Sequence, residues 1–496
     1  MSTPVSSTFD GLASVDRYGN LAPIVVDRLD DRYLSSDAAV QNVNAVLLDP
    51  TTPAGGLLAG LSTAVGVDAT LRGVRGDGSN NGAALNDLIQ SVSNGGGGTI
   101  ILPPGRYAVP TLQGRSGVRV RAAIPGTATL VPTQQISVWA RWNASAGFEL
   151  HDLIIDGSNP AGGSFITSYG IEMSPGATDP VMRGCILRGF PIGIETRENV
   201  TGLRIVDVAA SEVTLGIRLN KGPKNTRITG FEVSEWVDSG IYVLGDATSA
   251  VDGLVIERGI FHRHKRGLPE ASVRQPIRFH GVTANRHRNV TIDGNTITGA
   301  DTNHADTLDP GTADMISVHR LESFAITNNR LWGGGDVGIT IAQGCRDGIV
   351  SGNRTERIDT VGVCLGSADS TDFTERVNVT GNTFINCALD RPDTGGQAIT
   401  RSVPRAQASI LAVRASNSTI GPNTLRYSPD HPREHRRGIA WRQCASITVH
   451  PQDMNNVTQV FYDDAVTSTG GINPSLASTN MTRVAVQTLT QTAPVA

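Results

Sequence analysis

Two stretches of this 496-residue chain concentrate the side chains that acid–base chemistry needs. The first reads His262-Arg263-His264-Lys265-Arg266-Gly267-Leu268-Pro269-Glu270, and the second, from Gly299 to Asp314, carries Asp306, Asp309 and Asp314. Arg278 and His280 lie between them and His319 follows. Glycoside cleavage needs one protonated carboxylic acid and one carboxylate acting as base or nucleophile, roughly 5 to 9.5 Å apart. Asp306, Asp309 and Asp314 are the candidates for that pair, with Glu322 and Asp336 behind them. β-Elimination from a uronate needs instead a base for the C5 proton and a cation against the carboxylate. Arg278, His280 and His319 could supply these. Arg218, Tyr242 and Glu270 are candidate substrate-binding groups, and Trp236 and Trp332 are candidate platforms for sugar rings.

Other chemistries are excluded by what the sequence lacks. His262 and His264 stand two apart on a loop, with no further ligand spacing, so no metal and no cofactor is expected. Nucleophile elbows, phosphate loops and dinucleotide fingerprints are absent. A net charge of -4 gives no bulk attraction to nucleic acid or anionic membrane. No apolar run approaches the roughly 20 residues of a membrane span. The N-terminus has no basic segment followed by an apolar stretch, so no secretory leader is expected. The five cysteines are an odd set without close pairs, which argues against a disulfide framework and for small wall residues.

The elements that position these groups come from a weak repeat between about residues 150 and 450. Val290-Thr291-Ile292-Asp293-Gly294-Asn295-Thr296-Ile297 recurs at Phe324 to Leu331 and at Val377 to Phe384. Apolar residues alternate within each copy, which is the period of a strand. The copies stand too far apart for hairpins. Stacked short strands of this spacing predict an all-β fold, a single-stranded parallel β-helix in which Ile292, Ile326 and Val379 form an inner ladder. Handedness follows from the crossover rule and is predicted to be right. The Asn residues of the corners can stack into an amide ladder.

A second strand repeats in register, as Gly216-Ile217-Arg218-Leu219, Gly240-Ile241-Tyr242-Val243, Pro276-Ile277-Arg278-Phe279, Met315-Ile316-Ser317-Val318 and Gly338-Ile339-Thr340-Ile341. Its outward positions predict one column of Arg218, Tyr242, Arg278, Ser317, Thr340 and Cys364. A second column holds Asn220, Leu244, His280, His319, Ala342 and Gly366. Glycine, at 56 residues, exceeds the roughly 7% average, as a corner-rich fold requires.

Upstream, Gly76-Asp77-Gly78-Ser79-Asn80-Asn81-Gly82 leads into Ala83 to Asn94, where Leu85, Leu88, Ile89 and Val92 share a helical face. Gly95-Gly96-Gly97-Gly98-Thr99-Ile100-Ile101-Leu102-Pro103-Pro104-Gly105 follows. This stretch resembles the opening of the pectate-lyase-like β-helix superfamily, in which a short helix plugs the first coil. It departs from that pattern at Asn80-Asn81, where acidic residues are usual. Leu29-Asp30-Asp31-Arg32-Tyr33-Leu34, with Leu48 to Leu58, is similar to N-terminal segments of tail proteins from phages and prophages of actinobacteria. In those proteins the segment joins a receptor-binding or depolymerase module to the virion. Asn289 to Gly344 faintly resembles polygalacturonases. Asp314 matches the second Asp of their paired-Asp strand, but Ala313 replaces the first and Gly334-Gly335-Asp336 replaces their Gly-His-Gly turn. Polygalacturonase activity itself is therefore not expected.

The resulting expectation has three parts. Residues 1–70 are an attachment or linker extension. Residues 71–465 are a capping helix and a right-handed parallel β-helix. Residues 466–496 are a tail able to form an inter-subunit strand. The resemblance implies a homotrimeric tailspike-type polysaccharide depolymerase on a virion tail, held by tail or baseplate proteins. The alternatives are a glycan-binding fibre or adhesin without catalysis, and a free extracellular lyase or glycoside hydrolase.

Overall fold

The computed structural model describes residues 66–158, 166–262, 275–282, 284–299, 314–333, 337–358, 360–367, 371–387, 408–428 and 437–457, and the backbone of strands Gln459–Asp463 and Thr482–Arg483. Asp306, Asp309, Glu270, His264, Asp336 and the residues up to 65 lie outside the described residues.

The chain winds through three sheets, and each coil leaves one strand in each. Among the described residues the sheets hold 16, 14 and 13 strands, and every pairing between named strands is parallel. This is the parallel β-helix that the repeats imply. The capping helix spans Gly82–Asn94, with Leu85, Leu88 and Ile89 buried and Val92 packed against the same core. It shields apolar ends that an open solenoid would leave wet. No helix among the described residues is long and apolar enough to cross a membrane.

The inner ladder differs from the expected one by a coil. Ile292 pairs with Ile326, Ile326 with Val350, and Val350 with Val379. The missing rung is Arg346–Ser351. Its Gly348 pairs with Phe324, and a Cβ there would run into the Phe324 ring. A large residue in one coil is thus matched by none in the next, which erased the apolar alternation from the sequence.

The corner from first to second sheet is short and regular. Strand His287–Asp293 ends two residues before Thr296–Thr298, and Leu321–Thr327 stands likewise before Arg330–Trp332. The first corner residue is left-handed, as at Gly294 (φ 63°) and Asn328 (φ 55°). The second is the buried ladder residue. Asn295, Asn329, Asn353, Asn382, Asn423 and Gln452 stack along the axis. Asn329 Nδ2 donates to Asn353 Oδ1 at 2.9 Å and to Ile292 O at 3.0 Å, while its Oδ1 accepts from Asn295 N and Nδ2. Both its donors and its acceptor are used, so a buried amide carries no orphan.

The turn from second to third sheet is where the coil varies. The connections Phe261 to Gln275, Thr298 to Asp314, Ile385 to Ala408 and Arg426 to Arg437 all enter the third sheet at the same corner. Two of these four were recognisable as excursions in the sequence. Long connections on a rigid scaffold are where function is usually carried, and the strands that these four lead into all belong to the third sheet.

All five cysteines are buried and none is in a disulfide, and burial pushes the Cys185, Cys345 and Cys387 thiols up to about 12. Glu322 belongs to the outer face of the first sheet. It is held there by Arg288 (3.1 Å) and Arg346 (2.7 Å), whose pull keeps its carboxyl low despite some desolvation. It is therefore no partner for Asp314, which sits on a different sheet.

Candidate functional site

Both outward columns on the third sheet fall as the repeat predicts. Arg218 pairs with Tyr242, Tyr242 with Arg278, Arg278 with Ser317, Ser317 with Thr340 and Thr340 with Cys364. Leu244 pairs with His280, and the His280 and His319 rings stand 6.5 Å apart. Three consecutive strands, Ser239–Leu244, Gln275–His280 and Asp314–His319, therefore bring Tyr242, Arg278, His280, Asp314 and His319 onto one surface.

The centre of that surface is Arg278. Its guanidinium stacks over the Tyr242 ring at 4.8 Å and reaches Asp238 Oδ1 at 3.9 Å. Asp238 immediately precedes its strand, at the corner where the variable connections enter. Two strands along, Asp314 Oδ2 accepts from Gln275 Nε2 at 3.3 Å. Asp314 keeps some exposed surface, but its carboxyl is densely surrounded, and this desolvation pushes it up to about 6. The hydroxyls of Ser317 and Thr340, the Val337 N–H and the Arg278 charge oppose that rise without cancelling it. Burial also raises the Asp238 carboxyl, against the pull of Arg278 and Ser239.

The histidines are tuned the other way. Burial pushes His319 down to about 4, helped by the positive neighbourhood of His280, Arg278 and Arg320. Its Nδ1 is buried with no hydrogen-bond partner, and its Nε2 lies 3.3 Å from Ser317 Oγ. His280 is exposed yet also lowered, first by desolvation and then by Arg278 and Arg320. Both shifts favour the neutral imidazole, the form that accepts a proton, and the burial that holds His319 near 4 makes it the weaker base of the two. Behind them the buried His287 accepts from Val251 N–H at 3.1 Å through Nδ1, which leaves Nε2 facing His280 O at 3.4 Å. It pins the end of the His280 strand.

Other candidates are relocated. Trp236 is fully buried, and its Nε1 donates to His262 O at 2.8 Å, so it is core packing and no sugar platform. Trp332 is half-buried on the second sheet, away from the Arg278 column. Arg218 shares the column but is occupied. Its Nε and Nη2 both engage the fully buried Glu195, and Nη2 also donates to the Tyr169 hydroxyl at 3.0 Å. It therefore serves first as counter-charge to Glu195, whose carboxyl burial would otherwise push up further. Among the described residues no group of three His, Cys, Asp or Glu side chains is arranged to hold a metal.

The sequence reading missed Asp238, Gln275 and the Glu172–Glu195 pair. Asp238 and Gln275 stand just outside the Gly-Ile-x-Leu core of the repeat. One further aligned position, Ser239, Gln275, Asp314 and Val337, would have found the Gln275–Asp314 contact. Past this site the same outer face turns apolar, with Val337, Val361, Cys364, Ala408, Leu411 and Ala440 forming a second buried cluster.

Residues 215–425 match the family model described as the right handed beta helix region. No curated protein matches the chain by sequence. Among solved structures it is similar to the surface protein and adhesin PfbA of Streptococcus pneumoniae, with a TM-score of 0.55 and 14% identity over 80% of this chain and 99% of that one. It is also similar to tailspike protein 3 of bacteriophage CBA120, with a TM-score of 0.53 and 12% identity over 92% of this chain and 70% of that one. With the parallel register of all three sheets, these findings identify the chain as a right-handed parallel β-helix protein.

Proposed function

We propose that the chain is a tailspike-type depolymerase that cleaves a bacterial surface polysaccharide on the outer face of its third sheet. The observation that carries the reading is Asp314, a carboxyl held near pKa 6 beside Arg278 and Gln275. A general acid must be protonated at working pH and must release its proton readily, and a raised carboxyl does both. Asp238 is the second carboxyl. Its backbone lies two strand spacings away and one residue out of register, roughly 10 Å, so the two side chains need only lean toward each other to reach the separation of an inverting pair, which leaves room for a water. In this reading Asp314 protonates the leaving glycosidic oxygen. Asp238 takes a proton from the attacking water, and Arg278 orients both.

The fold shared with the bacteriophage tailspike supports a setting on a virion tail, and the resemblance of the N-terminal residues to phage tail proteins is the ground for proposing attachment through them and a homotrimer. A second reading has its own observation. His280, exposed on the surface and shifted toward its neutral form, stands beside the Arg278 charge, and β-elimination needs such a base beside such a cation. The test is to incubate the purified protein with a panel of capsular and pectic polysaccharides. Hydrolysis yields new reducing ends without ultraviolet change. Elimination adds absorbance near 235 nm, the region of unsaturated uronates. Binding with neither signal would reduce the protein to a glycan-binding fibre, as the similarity to an adhesin would then suggest.

A further inference from the structure

On the N-terminal side of Arg278 the outer face of the third sheet carries a layered charge arrangement that the cleavage centre does not use. Strands Ile136–Arg141, Ile166–Met173, Ile192–Thr196 and Leu215–Asn220 are successive neighbours. Glu172 pairs in register with Glu195, and Glu195 with Arg218. Both carboxylates lie beneath the surface, at 9% and 0% residue exposure. The guanidinium groups lie above them. Arg197 holds Glu172 at 3.2 Å and approaches Glu195 at 3.9 Å, and Arg218 holds Glu195. Arg141 reaches Glu172 only at 3.7 Å, with its side chain 49% exposed. Tyr169 is stacked between Arg197 (4.9 Å) and Arg218 (5.3 Å).

Three guanidinium groups thus cover two carboxylates, and the uncompensated charge is the outermost and most loosely held. Excess positive charge alone is no mark of a site, since Arg288 and Arg346 share Glu322 on the first sheet; what sets this row apart is the aromatic ring held between two of its guanidinium groups. Guanidinium groups beside aromatic rings are suited to oxyanions such as carboxylates and sulfates, which the planar fork of N–H donors meets two oxygens at a time. The row continues through Tyr242 to Arg278 in the same column, so cationic and aromatic groups recur along the helix axis for five strand spacings, roughly 24 Å. The chain as a whole carries -4, so this row is a local feature and no echo of bulk charge.

We infer that the face from Arg141 to Arg218 is a binding track for an anionic polysaccharide, which it leads along the axis toward Arg278 and Asp314. This rests on the glycan-cleaving reading above and adds the substrate class. The anion is carried as a repeated substituent on the sugar, a uronate carboxylate or a sulfate, and the least engaged cations, Arg141 and Arg278, stand at the two ends of the track to meet it.

The test uses affinity electrophoresis of the full chain in gels containing polygalacturonate, dextran sulfate or neutral dextran. Arg197 and Arg218 are poor probes, because removing either exposes a buried carboxylate and endangers the fold. Arg141→Glu is the informative variant, and Arg288→Glu on the first sheet is its charge-matched control. The track predicts retardation by at least one anionic polymer and not by dextran, weakening as salt rises. It predicts at least fivefold weaker binding for Arg141→Glu and none lost for Arg288→Glu. Retardation by polygalacturonate alone assigns carboxylate, and by dextran sulfate alone assigns sulfate recognition. Equal loss in both variants, or dextran bound as well as the anionic polymers, overturns the track. If a neutral capsule is cleaved while no anionic polymer is bound, the track fails and the depolymerase reading stands. If no polysaccharide of any kind is bound or cleaved, both fail.

Discussion

Asp314 is the residue on which the chemistry turns, and its environment makes a prediction that needs no substrate. Its carboxyl titrates at a higher pH folded than unfolded, so the folded state prefers the proton. The stability it lends is complete below pH 4, near its unfolded value of 3.8, and is lost as pH rises through about 6. Asp314→Asn should therefore be more stable than the native chain above pH 6, by about 1–2 kcal/mol after allowance for partial exposure. The two should converge below pH 4. Chemical denaturation across pH 4 to 8 measures this, and a gap that widens toward low pH would refute the raised carboxyl. Arg218 makes the opposite kind of prediction. Arg218→Ala should cost about 3–5 kcal/mol, because it strands the buried Glu195. Thermal unfolding separates that structural loss from any loss of glycan binding. Trp236 and Arg218 were readable as surface residues because their partners, His262 O and Glu195, sit one coil away. Nothing local in the sequence announces a contact that stacking creates.

At the scale of the element, the recurring features are the corner and the outward column. Asn353 accepts from Asn329 N and Nδ2, and donates to Asn382 Oδ1, Ile326 O and Ser351 O. Asn353→Ala would leave several buried groups in two coils unpaired, at a cost of about 2–4 kcal/mol. Asn423, nearer the end of the ladder, should be less costly to replace. Urea unfolding of both variants checks the order. The Arg218–Tyr242–Arg278 column was legible because Gly-Ile-x-Leu strands repeat with the same phase. The Arg346–Ser351 rung was not, since Gly348 empties a position that Phe324 fills from the neighbouring coil. Asp238 was hidden for another reason. It lies at the third-sheet corner, where connections differ in length and no period survives to align it.

For the whole molecule, the fold was open to sequence reasoning and the site only in part. Stacking repeats the same physics in every coil, so a weak pattern is reinforced many times over. A site is written once. The three sheets also differ in what they face. On the first sheet Arg288 and Arg346 share the single Glu322, whereas on the third Arg141, Arg197 and Arg218 cover Glu172 and Glu195 with Tyr169 stacked between two of the guanidinium groups. Trimeric assembly belongs to the proposal and has a simple check. Light scattering at micromolar concentration should give three times the chain mass of 52.2 kDa, and a monomer mass would remove it.

The most direct test of the central claim is turnover of a polysaccharide that the native protein degrades, compared between Asp314→Asn and Arg278→Ala. If Asp314 is the general acid, Asp314→Asn lowers kcat by about 100-fold or more while the β-helix melts normally. Cleavage by Asp314→Asn at the native rate would contradict the account. If Arg278→Ala abolished that cleavage, the chemistry would pass to Arg278 and its histidines; if it too cleaved normally, the site would lie elsewhere.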